Sequence, residues 1–388
     1  MQNVDLQTNM ALGILVCATF SCCNNLYLLT LHCKPVLPDA GIGYVVVETS
    51  AFMKVTLIIV AIVVAFVLNL LLGSVDIPFG DIVRILAGDE SVSEISRNII
   101  MQSRVPQALT ATVAGAGLAV SGLQMQVVFR NPLAGPSVLG ISNGASLGVA
   151  LVVLLSGSIG GVALSRMGYI GNAAISMAAI IGAMAVMSLI MYVATKVRGN
   201  VTLLIIGVLI GHLATAIIGV LKFFSAEEDV KAYVVWGLGS FARVSGDEMM
   251  LFVCLMLLLL PLSMLLIKTM NMLLLGDDYA RSLGLNINRA RTFVILSSGV
   301  LVAIVTAYCG PIMFIGLAVP HLCRALFHTN DNRTLMPTTM LMGALLALVC
   351  NLAARMPGME GALPVNSVTA LIGAPVIAWV IFRRGKEY

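Results

Sequence analysis

Charged side chains are scarce in this sequence: Asp, Glu, Lys and Arg make up 10% of its 388 residues, while 59% are hydrophobic. Soluble domains carry about 25% charged residues. A chain this apolar cannot cover a water-facing surface of its own, which excludes an ordinary soluble fold. A bilayer removes the difficulty, because lipid solvates an apolar helix face. Aromatics are also few, at 6%, so most of the apolar content is aliphatic and suits long helices.

A helix crosses the hydrocarbon core with about 20 apolar residues. Ten stretches approach that length: Val55–Leu72, Val105–Val128, Ser137–Leu155, Asn172–Ala194, Thr202–Leu221, Met249–Ile267, Thr292–Cys309, Ile312–Phe327, Leu335–Ala354 and Leu363–Phe382. The eighth is short and holds Pro320, His321 and Arg324, so it is expected to be broken or tilted. The expected fold class is an all-α polytopic membrane protein with about ten transmembrane helices.

None of these ten stretches contains Asp or Glu. Carriers driven by protons or sodium place carboxylates within the membrane to bind the coupling ion, and ion channels carry charged rings or a carbonyl filter. Both classes are disfavoured. The ionisable residues inside are His212, His321 and Arg324; separated histidines do not form a proton relay, and a neutral packing role suits each. A membrane-embedded enzyme would need catalytic acids, metal ligands or a nucleophile dyad, and no such cluster is found; His321 and His328 with Cys323 between make a poor metal site. The phosphate-binding Gly-x-x-x-x-Gly-Lys-Ser/Thr pattern is missing too, since Gly385-Lys386 is followed by Glu387. A pump built on this chain would take its energy from a separate nucleotide-hydrolysing subunit, with ATP and Mg bound there and no cofactor on this chain.

Orientation follows from Lys and Arg in short loops. With the start of the first stretch inside, thirteen basic residues fall on the inner side and eight on the outer, against four and eleven acids. Both termini of the region from residue 53 onward are thus expected in the cytoplasm. The net charge of +4 reflects this bias rather than an affinity for nucleic acid.

Residues 1–52 do not match the rest. They hold four of the eight cysteines, Cys17, Cys22, Cys23 and Cys33, yet Met1–Met10 lacks the basic residues of a secretory signal, and no ligand spacing with His32 indicates a metal site. Met53-Lys54 before an apolar run suits a natural start. The expected organisation is an atypical extension at 1–52, absent from the native protein if Met53 is the initiator, and one transmembrane domain at 53–388. Cys254, Cys309, Cys323 and Cys350 stand singly in or near spans as packing residues.

The longest inner loop runs from Lys268 to Arg291. Within it Gly276, Asp277, Asp278, Tyr279, Ala280, Arg281, Ser282, Leu283 and Gly284 read as a short helix, with an Asp at its start and Gly284 at its end. Tyr279 and Leu283, four apart, share a face. Such a helix suits a partner's grip or an interfacial position on lipid headgroups; periodicity does not separate the two.

The same segment, from Asn271-Met272-Leu273 through Leu285, resembles the coupling helix of the FecCD/BtuC family, the membrane subunits of ATP-binding-cassette importers for iron complexes and cobalamin. Other motifs are similar to that family: Arg104-Val105-Pro106; Val120-Ser121-Gly122-Leu123-Gln124; Phe129-Arg130-Asn131-Pro132-Leu133-Ala134-Gly135-Pro136; Leu139 to Ala145; Gly310-Pro311-Ile312; Phe314 to Leu317; Pro320-His321 with Arg324; and Leu363-Pro364-Val365 with Thr369 to Pro375. The resemblance runs from about Met53 to the C-terminus. It implies the type II ABC importer permease fold, and a homodimer with two ATP-binding subunits and one extracytoplasmic substrate-binding protein in the bacterial inner membrane. It implies that Gly276–Gly284 couples to the ATPase, that Arg104 and Arg355 dock the binding protein, and that Gly199, Asn200 and Val201 form a cytoplasmic gate. Gln107 stands where the family has a second docking arginine, and Arg104 and Arg355 could instead snorkel to the interface. Trp236 to Ser240 resembles a short outer segment near the path, or an interfacial aromatic anchor. An iron complex, a ferric siderophore or haem, is the expected cargo, with cobalamin the alternative and an ion-coupled carrier the remote one.

Overall fold

The computed structural model describes residues 42–73, 75–89, 91–156, 169–196, 199–244, 246–355 and 363–384. The cysteine cluster at 17–33 lies outside them. The chain divides into two units, Met1–Leu57 and Ile58–Tyr388, with the boundary falling inside the first helix. Among the described residues the regular structure is helical throughout: α1 Ile42–Leu71, α2 Phe79–Leu86, α3 Glu94–Asn98, α4 Val105–Phe129, α5 Ile141–Ser156, α6 Tyr169–Lys196, α7 Asn200–Phe224, α8 Glu227–Gly237, α9 Asp247–Met264, α10 Ile267–Leu274, α11 Asp277–Ser282, α12 Ile287–Cys309, α13 Ile315–Phe327, α14 Asn332–Ala354 and α15 Val365–Arg384.

Among the described residues six helices are long and apolar enough to span a bilayer: Ala51–Leu71, Glu94–Phe129, Gly171–Ala194, Val201–Phe224, Ile287–Cys309 and Asn332–Ala354. A seventh arises if α9 and α10, bent by 46° at their junction, form one broken span. The expected count of ten is therefore not reached on length. The stretches at 137–155 and 312–327 correspond to the shorter apolar helices Ile141–Leu155 and Ile315–Phe327, and that at 363–382 to the 20-residue α15. The reason is local: Pro136 and Gly140 delay the start of α5, and the Gly310-to-Phe314 turn delays α13. Thirteen residues in α13 reach only about 20 Å at 1.5 Å per residue, short of a core about 30 Å thick. Exposed faces of the long helices are apolar, with Val63 of α1, Ile181 of α6 and Leu213 of α7 all more than half exposed; lipid, not water, suits such faces.

α4 is the axis of the unit, buried along nearly its whole length, with Leu109 and Thr112 half-buried between Pro106 and Phe129. A π-helical segment, Ile99–Arg104, joins it to α3. Its neighbours approach closely because glycines meet across the interfaces. A Cβ on Gly115 would collide with the carbonyl of Gly343 in α14, and one on Gly122 with the carbonyl of Gly316 in α13. Gly148 of α5 meets Ala178 and Gly182 of α6 in the same way, the small-residue contact on which helix packing in lipid depends. Buried polar pairs fix the register. Ser121 and Ser298 hydroxyls lie 2.5 Å apart, Gln124 donates to Ser297, and Asn351 donates to Asn69. Each such bond adds about 0.6 kcal/mol in a membrane.

Candidate functional site

At the Arg130 end of α4 the chain makes a compact surface feature. α10 buries Met270 and Leu273, then Gly276 at φ +110 turns the chain into α11. Asp277 and Asp278 occupy the first turn, where the helix dipole favours carboxylates. The end is a Schellman motif: the Leu285 N–H donates to Ala280 O at 3.0 Å and the Gly284 N–H to Arg281 O at 2.9 Å, with Gly284 at φ +84. Asn286 then caps α12 by accepting from the Arg289 N–H. The expected short helix is thus placed with Asp at its start and Gly284 past its end.

The faces of α11 are distinct. Ala280 is fully buried, while Asp278, Tyr279, Arg281, Ser282, Leu283 and Gly284 are exposed, Tyr279 at 65% and Leu283 at 56%. Asp277 turns back towards its own chain. Its Oδ1 accepts from Arg130 Nη2 at 2.5 Å and its Oδ2 from Arg291 Nη2 at 2.6 Å. Arg130 also donates to the Leu273 carbonyl through Nε and Nη2. It does so from a left-handed backbone, φ +47, that closes α4. The sequence places Arg130 in the family-like run Phe129 to Pro136 and Arg291 at the end of the inner loop, but no motif in it pairs either with Asp277. A usable signal was present: few acids sit among many bases on that side, and two of them are adjacent.

A second brace holds α10. Asn271 donates to Asp331 at 2.6 Å and accepts from the backbone and side chain of buried Asn332. Asp331 caps α14 by accepting from the Arg333 N–H. That bond lowers the Asp331 carboxyl below its usual range, with Asn271 and the Arg333 charge acting in the same direction. Nearby, Arg324 donates to Gln126 of α4 at 2.5 Å, and His321 Nε2 lies 2.8 Å from the Pro132 carbonyl. The turn between α13 and α14 thus shares this end of the molecule with α11.

The other expected residues lie elsewhere. Arg104 sits at the opposite end of α4, about 37 Å away at 1.5 Å per residue. It is 1% exposed and donates to the Leu70, Leu71 and Val75 carbonyls. The guanidinium of half-buried Arg355 approaches the same turn, within 3.1 Å of the Cβ position of Gly73. Burial lowers the Arg355 pKa, and the Arg104 charge lowers it further. Gly199, at φ +124, and Val201, 69% exposed, open α7; the Asn200 side chain lies outside the described residues. Two turns on, Gly207 rests against Leu139 and Gly140 of the turn after α4. Trp236 is 2% exposed and packs beside Tyr233, so it is a buried residue rather than an interfacial anchor. The structure therefore brings the α11 segment together with Arg130, Arg291 and the α13–α14 turn, and leaves the arginine pair and the α7 entrance as separate features.

The described residues thus hold six or seven apolar helices of spanning length, with the short, exposed and braced α11 at one end. The chain belongs to the FecCD transport family, whose model matches residues 60–383. It is similar to the hemin transport system permease HmuU of Yersinia pestis, with 34% identity over 298 residues, 76% of this chain and 87% of that permease. It is equally similar to the vitamin B12 import system permease BtuC of Escherichia coli O157:H7, with 34% identity over 290 residues, 74% and 84% of the two chains. A solved structure assigned to the metal-chelate type of ABC transporter, in an inward-facing conformation, superposes with a TM-score of 0.73 at 29% identity and covers 84% of this chain and 97% of its own. The chain is accordingly a permease of an ABC importer, and such permease subunits are not themselves enzymes.

Proposed function

We propose that this chain carries an iron complex, a ferric siderophore or haem, across the bacterial inner membrane as one of two identical permease subunits. Two ATP-binding subunits and one extracytoplasmic binding protein complete the machine. The observation that carries this reading is α11: Tyr279 and Leu283 stand exposed on a helix whose base is tied to the spans. A partner ATPase that grips this face can drive the membrane domain mechanically, because a short braced helix moves as a unit. The α11 end then faces the cytoplasm, as do both termini of the 53–388 domain. α15, at 20 residues, and the shorter helices α5 and α13 complete ten crossings where neighbours and local thinning make up the missing length.

On the far face the binding protein docks against the surface built around the Gly73 turn. Arg355 offers positive charge there, and Arg104 acts through the turn it holds. Gly199, Asn200 and Val201 close the cytoplasmic end of the path between the two copies. Similarity to the hemin permease agrees with an iron complex, and equal similarity to the vitamin B12 permease keeps cobalamin as the second reading. Proteoliposomes holding the chain, its ATPase subunit and its binding protein separate these cargoes. ATP-dependent uptake of haem or a ferric siderophore, with none of labelled cobalamin, is the expected result; the reverse selects cobalamin. Uptake that persists without any ATPase subunit would sink the reading.

A further inference from the structure

The Asp277 carboxylate links three elements, and we infer that it is the positioning residue through which load on α11 reaches the membrane spans. This rests on the proposal that α11 meets an ATPase. α11 has six residues, too few for independent stability, and both ends are glycines in left-handed conformations, Gly276 and Gly284. Two such glycines are natural pivots. Left to them, a push on Tyr279 or Leu283 would swivel the helix and be lost in the loop. Asp277 removes that freedom. Its two oxygens go to different spans, Oδ1 to Arg130 at the end of α4 and Oδ2 to Arg291 in the first turns of α12. These two spans are joined deeper in the core by Ser121 with Ser298 and Gln124 with Ser297. The forked carboxylate thus delivers one displacement to the central pair of helices at once, while Arg130 also anchors the end of α10 through the Leu273 carbonyl.

The chemistry sets the variants. Asparagine keeps the size but has one acceptor oxygen and no charge, so it cannot hold both guanidinium groups. Glutamate keeps both oxygens on a longer stem. The measurement is amide hydrogen exchange of the full chain assembled with its ATPase subunit in nanodiscs, with and without ATP and orthovanadate. The quantity read is the nucleotide-dependent change at 126–131 and 287–293 divided by that at 279–285. In Asp277→Asn this ratio should fall at least about threefold, and in Asp277→Glu return most of the way. Arg291→Gln, which cuts one arm only, should lower the response at 287–293 more than that at 126–131. A purely structural staple would lower protection everywhere and leave the ratio alone. An unchanged ratio in both Asp277→Asn and Arg291→Gln overturns the inference. If the unsubstituted chain binds no ATPase subunit, or shows no nucleotide response at 279–285, the parent reading falls and this one with it.

Discussion

At the scale of single residues, the buried cation Arg104 shows what position does to a charge. The carbonyls of Leu70 and Leu71 at the end of α1 and of Val75 just beyond it accept from its guanidinium, and no acidic side chain does so among the described residues. The fork of Arg fits these divergent acceptors, whereas a lysine ammonium is a point charge and cannot reach them together. Arg104→Ala should cost about 2–4 kcal/mol, and Arg104→Lys should recover less than half of it, as read by thermal unfolding in detergent. Unchanged unfolding temperatures in both would mean the side chain is not held as described. Asp331 gives the pH counterpart. Its folded-state carboxyl titrates below the usual value, so its contribution is present above the unfolded pKa and lost as pH falls through the lower folded one. Asp331→Asn keeps an N-cap acceptor but should flatten the acid side of the stability profile, measured between about pH 3 and pH 6. A profile as steep as that of the unsubstituted chain would argue against the assignment. Neither residue's role was legible in advance. Arg104 reads as a surface arginine because nothing local shows that the Leu70-to-Val75 turn folds over it. The α11 fork pairs residues 147 positions apart, beyond the reach of any motif.

At the scale of elements, legibility follows the range of the interaction that fixes each one. Long apolar runs are local, and α1, α4, α6, α7, α12 and α14 lie where hydropathy puts them. The bend between α9 and α10, the π segment before α4 and the shortness of α5 and α13 depend on neighbours, and apolar run length overstates them. The short helix α11 was readable because its determinants, Asp at the start and Gly284 after the end, are within one turn of it. Glycine contacts lie between these cases. Gly122 and Gly316 recur in family-like motifs, yet only the packed helices show that they meet. Gly122→Leu should therefore prevent folding, seen as loss of the monodisperse detergent-solubilised chain. Gly219→Ala, with nothing within 4 Å of the added carbon, should leave both yield and unfolding temperature unchanged. Equal behaviour of the two variants would contradict the close approach of α4 and α13.

At the scale of the whole molecule, the two ends of α4 carry different kinds of order. At the Arg104 end, charge is buried under the chain's own turn, which builds a fixed surface. At the Arg130 end, the charges brace a helix whose outer face is left to solvent and bears Tyr279 and Leu283. An exposed apolar pair on a braced base is the pattern of an interface hot spot, in which a few aromatic and aliphatic anchors dominate the binding energy. Substituting both by alanine removes the anchors without touching Asp277, Arg130 or Arg291, so the helix itself should stay in place. At about 1–2 kcal/mol for each anchor, Tyr279→Ala with Leu283→Ala should weaken association with the ATPase subunit at least about tenfold, measured by titration in nanodiscs. Thermal unfolding of the permease alone should not move, because neither side chain is buried in it. Wild-type affinity in the double variant would place the ATPase contact on another part of this end, such as the α13–α14 turn, and would leave the exposure of Tyr279 and Leu283 to be explained by lipid headgroups.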